Sequence, residues 1–153
     1  MGDDLEQLDE LLQSGFRYAL SLVHDHARAE DLLQEACVGI QRKGGPWRLN
    51  YLLTVIRNRF VDQYRRQQKI RFIPLEEADT KVEAQERPAG VEDFDDELHR
   101  ALGMLRAEER ELIFMAVVQS YTTSEIAKLT GRPRGSILSA IHRAKQKLRR
   151  SLG

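Results

Sequence analysis

Apolar residues return every three or four positions along almost all of this 153-residue chain. At 3.6 residues per turn that spacing lines them up on one face of a helix, so the chain folds by packing helices side by side through single stripes. Leu5, Leu8, Leu12, Phe16, Ala19, Leu20 and Val23 make the first stripe, and Asp25 is placed to cap the helix that follows. There Leu32, Leu33, Ala36, Cys37 and Ile40 form the inner face, with Glu30, Asp31, Gln34 and Glu35 opposite. Gly44-Gly45-Pro46 breaks the pattern before a third helix with Leu49, Leu52, Leu53, Ile56 and Phe60 inward.

The period then stops. Residues 74–94 begin at Pro74, contain Pro88-Ala89-Gly90 and have no apolar repeat, which reads as a flexible acidic linker. Beyond it Leu98, Ala101, Leu102 and Leu105 predict one short helix, and Leu112, Ile113, Ala116 and Val117 another. Thr122 and Glu125 have the spacing of a capping box ahead of Ile126, Ala127 and Leu129, and Gly131 ends that helix. Pro133 suits the first turn of a last helix whose buried stripe is Ile137, Ile141, Ala144 and Leu148. A short helix, a tight glycine turn and a longer basic helix together predict a helix-turn-helix. The fold class is therefore all-α: two small helical domains, residues 1–73 and 95–153, joined by the acidic linker 74–94.

The 24 basic and 24 acidic residues cancel, yet they are sorted along the chain. Net charge runs −7 over residues 1–40, +8 over 41–73, −8 over 74–97 and +7 over 98–153. Two basic blocks held apart by an acidic one fit two separate polyanion-binding surfaces better than uniform solvation does. In the last helix Ser136, Ser139, Ala140, Arg143, Lys147 and Arg150 lie away from the stripe, with Arg132 and Arg134 at the N-terminal end. Small polar side chains and arginines there suit base edges in a major groove, and the later cations suit phosphates. The plainer reading is a terminal helix whose cations offset its dipole. In the third helix Arg57, Asn58, Val61 and Arg65 share a face, flanked by Arg59, Arg66, Lys69 and Arg71. Trp47, Tyr51 and Tyr64 offer flat surfaces for an unstacked base, or simply core packing. The acidic face of Glu30, Asp31, Gln34 and Glu35 suits a basic protein surface instead.

Other classes drop out. The longest unbroken apolar run, Leu112 to Val118, is seven residues where a spanning helix needs roughly 20, so no membrane insertion is expected. Met1-Gly2-Asp3-Asp4 is acidic where a secretory leader is basic and then apolar, and a cytoplasmic location is expected. The single cysteine, Cys37, excludes an internal disulfide and a cysteine-based zinc site. His24, His26, His99 and His142 are scattered, and no nucleophile motif or phosphate-cradling glycine loop occurs. Neither an enzyme, nor a cofactor, nor a metal, nor a small-molecule substrate is expected.

Three stretches in order resemble the extracytoplasmic-function (ECF) sigma factors of the sigma-70 family. Ala29-Glu30-Asp31-Leu32-Leu33-Gln34-Glu35 is similar to that family's polymerase-clamp-binding helix. Tyr51-Leu52-Leu53-Thr54-Val55-Ile56-Arg57-Asn58 is similar to its promoter-melting helix, and Ser124-Glu125-Ile126-Ala127 through Arg143-Ala144-Lys145 to its upstream-element reader. The resemblance implies a region 2 bundle of three or four helices and a four-helix region 4 domain. It implies that Glu30, Asp31, Gln34 and Glu35 dock on core RNA polymerase. Arg57, Asn58, Val61, Arg65 and Trp47 then act at the −10 element of promoter DNA, where the loop from Gly44 to Asn50 holds a flipped base. Arg132, Arg134, Ser136, Ser139, Arg143 and Lys147 act at the −35 element, and an anti-sigma factor is the implied regulator. The chain departs from the family in its short loop before Tyr51 and in carrying Leu138 and Ala140 where two basic residues are common. Leu138 and Ala140 leave a second reading, a sigma-like decoy that binds an anti-sigma factor, and a third is a stand-alone helix-turn-helix regulator whose N-terminal domain serves only dimerisation.

Overall fold

The structure is a computed structural model that describes residues 2–70 and 93–152, with side chains described from 3 to 67 and from 96 to 152. It divides into two compact units, Met1–Ile70 and Arg71–Gly153. Every regular element among the described residues is helical. The expected linker lies outside the described residues as far as position 92; its last two positions already belong to a helix.

In the first unit α1 (Gly2–Val23), α2 (His26–Lys43) and α3 (Leu49–Ile70) pack pairwise. Asp25 caps α2 as expected, its carboxylate accepting the Ala27 N–H at 3.0 Å. Gly44 ends α2 at φ 80°, a left-handed conformation that only glycine adopts without strain, and its N–H and that of Gly45 donate to Gln41 and Ile40. The core holds Tyr18, Ala19, Leu22, Ala29, Leu32, Ala36, Ile40, Leu52, Leu53 and Ile56. Each large side chain among them contributes about 1.5–3 kcal/mol of burial.

The buried stripe of α1 is rotated from the one its leucines predict. Leu5 is 70% exposed and Leu8 is also exposed, while Tyr18 and Leu22 are buried. Gly15 explains the turn: a Cβ there would lie 2.7 Å from Leu52 Cδ2 of α3 and 3.1 Å from Leu33 Cδ1 of α2. The missing side chain lets both neighbours approach on that side, and the first two turns of α1 extend beyond them.

The second unit contains α4 (Asp93–Gly103), α5 (Ala107–Ile113), a widened π-helical turn over Phe114–Val118, α6 (Thr123–Thr130) and α7 (Arg134–Leu152). Ala101, Leu105, Leu112, Phe114, Met115, Ile126, Ile137 and Ala144 form its core. Arg110, itself buried, donates to the Leu105 carbonyl and, at 3.3 Å, to that of Leu102, satisfying one carbonyl at the end of α4 and one in the turn after it. The wide turn, closed by the Gln119 N–H on the Phe114 carbonyl at 3.0 Å, carries Val117 and Val118 into solvent. Val117 is thus not the core residue its spacing suggested. Pro133 precedes α7 rather than starting it; its carbonyl accepts the Ile137 N–H at 3.2 Å.

Replacing Gly15 with Val tests the close approach. Although valine is the better helix former, overpacking of the fully buried Leu52 should destabilise the unit by about 2 kcal/mol and lower its unfolding midpoint by about 10 °C. An unchanged midpoint by calorimetry would show that Gly15 does not set the spacing.

Candidate nucleic-acid interface

Glu30, Asp31, Gln34 and Glu35 are all exposed on α2, as the pattern required. They are not isolated from α3. Gln63 Nε2 donates to Glu35 Oε2 at 2.9 Å, and Asp31 and Glu35 share with Arg42, Arg59 and Arg66 a groove of about 630 Å³ between the two helices. Arg59 belongs to this seam: a Cβ on Gly39 would lie 2.6 Å from its Nη2. Sequence reasoning placed Arg59 and Arg66 beside the candidate DNA face, whereas both line the α2 side. Lys69 and Arg71 have no described side chains.

Arg57, Asn58, Val61 and Arg65 occupy a different face of α3, with Asn58 and Arg65 exposed and Arg57 and Val61 half-buried. Before α3 the loop after Gly44 leaves Trp47 39% exposed, so this residue is not fully buried in the core. Gly45, at φ 101°, permits the turn, and a Cβ on it would lie 3.8 Å from Trp47 Cδ1. Tyr51 is half-buried in the first turn of α3. Tyr64 does not join them. It stacks on Phe60 with centroids 6.2 Å apart, borders α2, and lies about 20 Å along the helix from Tyr51. One base cannot rest on both.

In the second unit the capping box closes from both ends: Glu125 N–H donates to Thr122 Oγ1 at 3.1 Å and Thr122 N–H to Glu125 Oε1 at 2.9 Å. Gly131 ends α6 at φ 74°, and Thr130 Oγ1, buried, donates to the Ile126 carbonyl at 2.7 Å. These contacts fix a helix-turn-helix formed by α6 and α7. Two of its cations are already engaged. Arg132 Nη1 lies 3.1 Å from Glu108 Oε1 and Nη2 3.6 Å from Glu111 Oε1, while Lys147 Nζ sits 3.1 Å from Glu109 Oε1. All three carboxylates come from α5, so Arg132 and Lys147 brace α7 and the turn against it. Only Glu111 is buried, and the two better-exposed pairs contribute about 0–1 kcal/mol each.

Arg134, Ser136, Ser139 and Arg143 are exposed. The exposed face of α7 nonetheless centres on Gly135, Ser139, His142 and Gln146, because α7 packs on α4, α5 and α6 and leaves Ala140 and Lys147 half-buried at its flank. His142 and Gln146 were missed in the sequence; choosing the face opposite Ile137 and Ala144 strictly by helical angle would have found them. Burial raises the thiol pKa of Cys37 above its ordinary value. Among the described residues no three His, Cys, Asp or Glu gather to hold a metal, and no helix is long and apolar enough to cross a membrane.

These two units correspond to known families. The Sigma-70 region 2 family matches residues 8–70 and the Sigma-70, region 4 family matches residues 95–148. The ECF RNA polymerase sigma factor SigL of Mycobacterium tuberculosis is 32% identical over 146 residues, covering 90% of this chain and 81% of the relative. The RNA polymerase sigma factor CarQ of Myxococcus xanthus is 30% identical over 141 residues, 86% of this chain and 79% of the relative. Among solved structures, the sigma factor RpoE from Bartonella quintana, crystallised with the anti-sigma factor NepR, superposes with a TM-score of 0.73 at 27% identity over 99% of this chain and 98% of that one. Joined to an exposed acidic face on α2, a basic face on α3 and a braced helix-turn-helix, these similarities establish that the chain belongs to the ECF sigma factors of the sigma-70 family.

Proposed function

We propose that this chain binds core RNA polymerase, recognises −10 and −35 promoter elements and helps to open the DNA so that transcription begins. The observation that carries the reading is the separation of charge within the first unit. Asp31, Gln34 and Glu35 are presented by α2, and Asn58 and Arg65 by a face of α3 that does not border α2. One small bundle can then hold a basic protein surface and a phosphate backbone without either competing for the same side chains.

In this reading residues 1–73 serve as region 2, residues 74–94 as the tether and residues 95–153 as region 4. Glu30, Asp31, Gln34 and Glu35 dock on the polymerase. Arg57 and Arg65 hold phosphates, Val61 packs beside them, and Asn58 pairs with a base edge at the −10 element. Trp47 offers its exposed ring to an extruded base, whose unstacking costs a few kcal/mol that such contacts must offset. Arg134, Ser136, Ser139 and Arg143 enter the −35 groove, while Arg132 and Lys147 hold α7 in position for it. The chain supplies no bond-making chemistry, acts in the cytoplasm, and is regulated by an anti-sigma factor that masks these surfaces.

Transcription from a cognate promoter with purified core enzyme tests the reading; if the protein neither binds core nor directs initiation, it is wrong. Asp31→Arg should weaken capture of core polymerase by about tenfold or more, measured by pull-down titration, because a like charge replaces a complementary one. A stand-alone regulator would show no change. Asn58→Ala should slow promoter opening by about tenfold, followed by permanganate reactivity of unpaired thymines, while core binding stays within twofold. Equal loss of both would mean that Asn58 supports only the fold.

A further inference from the structure

We propose that Leu138 reads the methyl group of a thymine in the upstream promoter element and so sets specificity there; the inference rests on the promoter-binding role proposed above. Leu138 is 59% exposed. Among the exposed positions of α7 two carry an aliphatic side chain, Leu138 and, at the helix's last residue, Leu152; the others are Gly, Ser, His, Gln or Arg. Leu138 does not belong to the packed stripe, which runs through Ile137, Ile141, Ala144 and Leu148 on another side of the helix.

Its surroundings fit a groove floor. Leu138 stands one turn after Arg134 and one before His142, both exposed, in the N-terminal part of the second helix of the helix-turn-helix, the part that enters the major groove. A Cβ built on neighbouring Gly135 meets nothing within 4 Å, so the first turn of α7 is open to close approach by a sugar-phosphate backbone. Arg134, one turn before Leu138, and Ser139, the next residue, bring groups that hold phosphates or accept and donate to base edges.

An isobutyl group neither donates nor accepts, so it cannot read guanine, adenine or cytosine by their hydrogen-bonding edges. The one apolar feature that a base presents in the major groove is the thymine C5 methyl. Contact between the two removes both from water. Against a cytosine amino group the same side chain would cover a donor without pairing it, which selects against G·C at that position.

The test uses holoenzyme assembled from core polymerase and the full chain, with promoters randomised across the upstream element. The wild type should enrich thymine at one position. Replacing that thymine by uracil, which removes only the methyl, should weaken binding about fourfold. Leu138→Ala should bind the two templates equally, with an unchanged unfolding midpoint, and Leu138→Arg should shift the preference toward guanine. The proposal is overturned if the wild type initiates with no thymine preference, if it binds thymine and uracil templates alike, or if Leu138→Ala keeps the difference. Failure of the wild type to initiate on any template would instead overturn the promoter role, and this inference with it.

Discussion

The first unit depends on a side chain that is not there. Gly15 lies where α1 meets both α2 and α3, and any Cβ would run into Leu52 and Leu33. That approach turns Tyr18 and Leu22 into the core and leaves Leu5 and Leu8 outside. On α3 the residues at that contact are Leu52 and Ile56. With Leu52, Leu53 and Ile56 committed inward, the remaining surface of α3 divides into a side that faces α2, carrying Arg59 and Gln63, and another that carries Asn58 and Arg65. With that packing Arg59 and Arg66 face the acidic side of α2, while Asn58 and Arg65 stand on another side of α3.

The second unit uses polar contacts where the first uses close packing. Its helices are short, and an α6 of eight residues is marginal unless its ends are satisfied. The reciprocal Thr122–Glu125 cap and the left-handed Gly131 supply that, and the carboxylates of α5 hold the turn and the later part of α7. Arg132 and Lys147 thus pair with carboxylates of α5, while Arg134, Ser139 and His142 are exposed.

What the sequence made legible was local. The Asp25 cap, the Thr122–Glu125 box, the Gly131 stop and the exposure of Glu30, Asp31, Gln34 and Glu35 follow from residues within a few positions of one another. What it hid was tertiary. A stripe drawn through leucines cannot show that a glycine marks the contact, so α1 was read rotated. Counting cations on α7 and the turn before it cannot show that Arg132 and Lys147 meet carboxylates far away in sequence. Trp47 is ambiguous in the sequence because an aromatic after Gly-Gly-Pro packs or protrudes according to the loop's path, and here it is partly exposed. The widening at Phe114–Val118 gave no sign in an unbroken apolar run.

The central claim is that faces of opposite sign on neighbouring helices meet different macromolecules. Site-specific photo-crosslinking in a complex of core polymerase, the full chain and promoter DNA tests it most directly, with the probe placed at Asp31, Asn58 or Ser139 in turn. The account predicts that Asp31 joins to a polymerase subunit while Asn58 and Ser139 join to DNA. Crosslinks from Asp31 to DNA, or from Asn58 and Ser139 to polymerase alone, would contradict it.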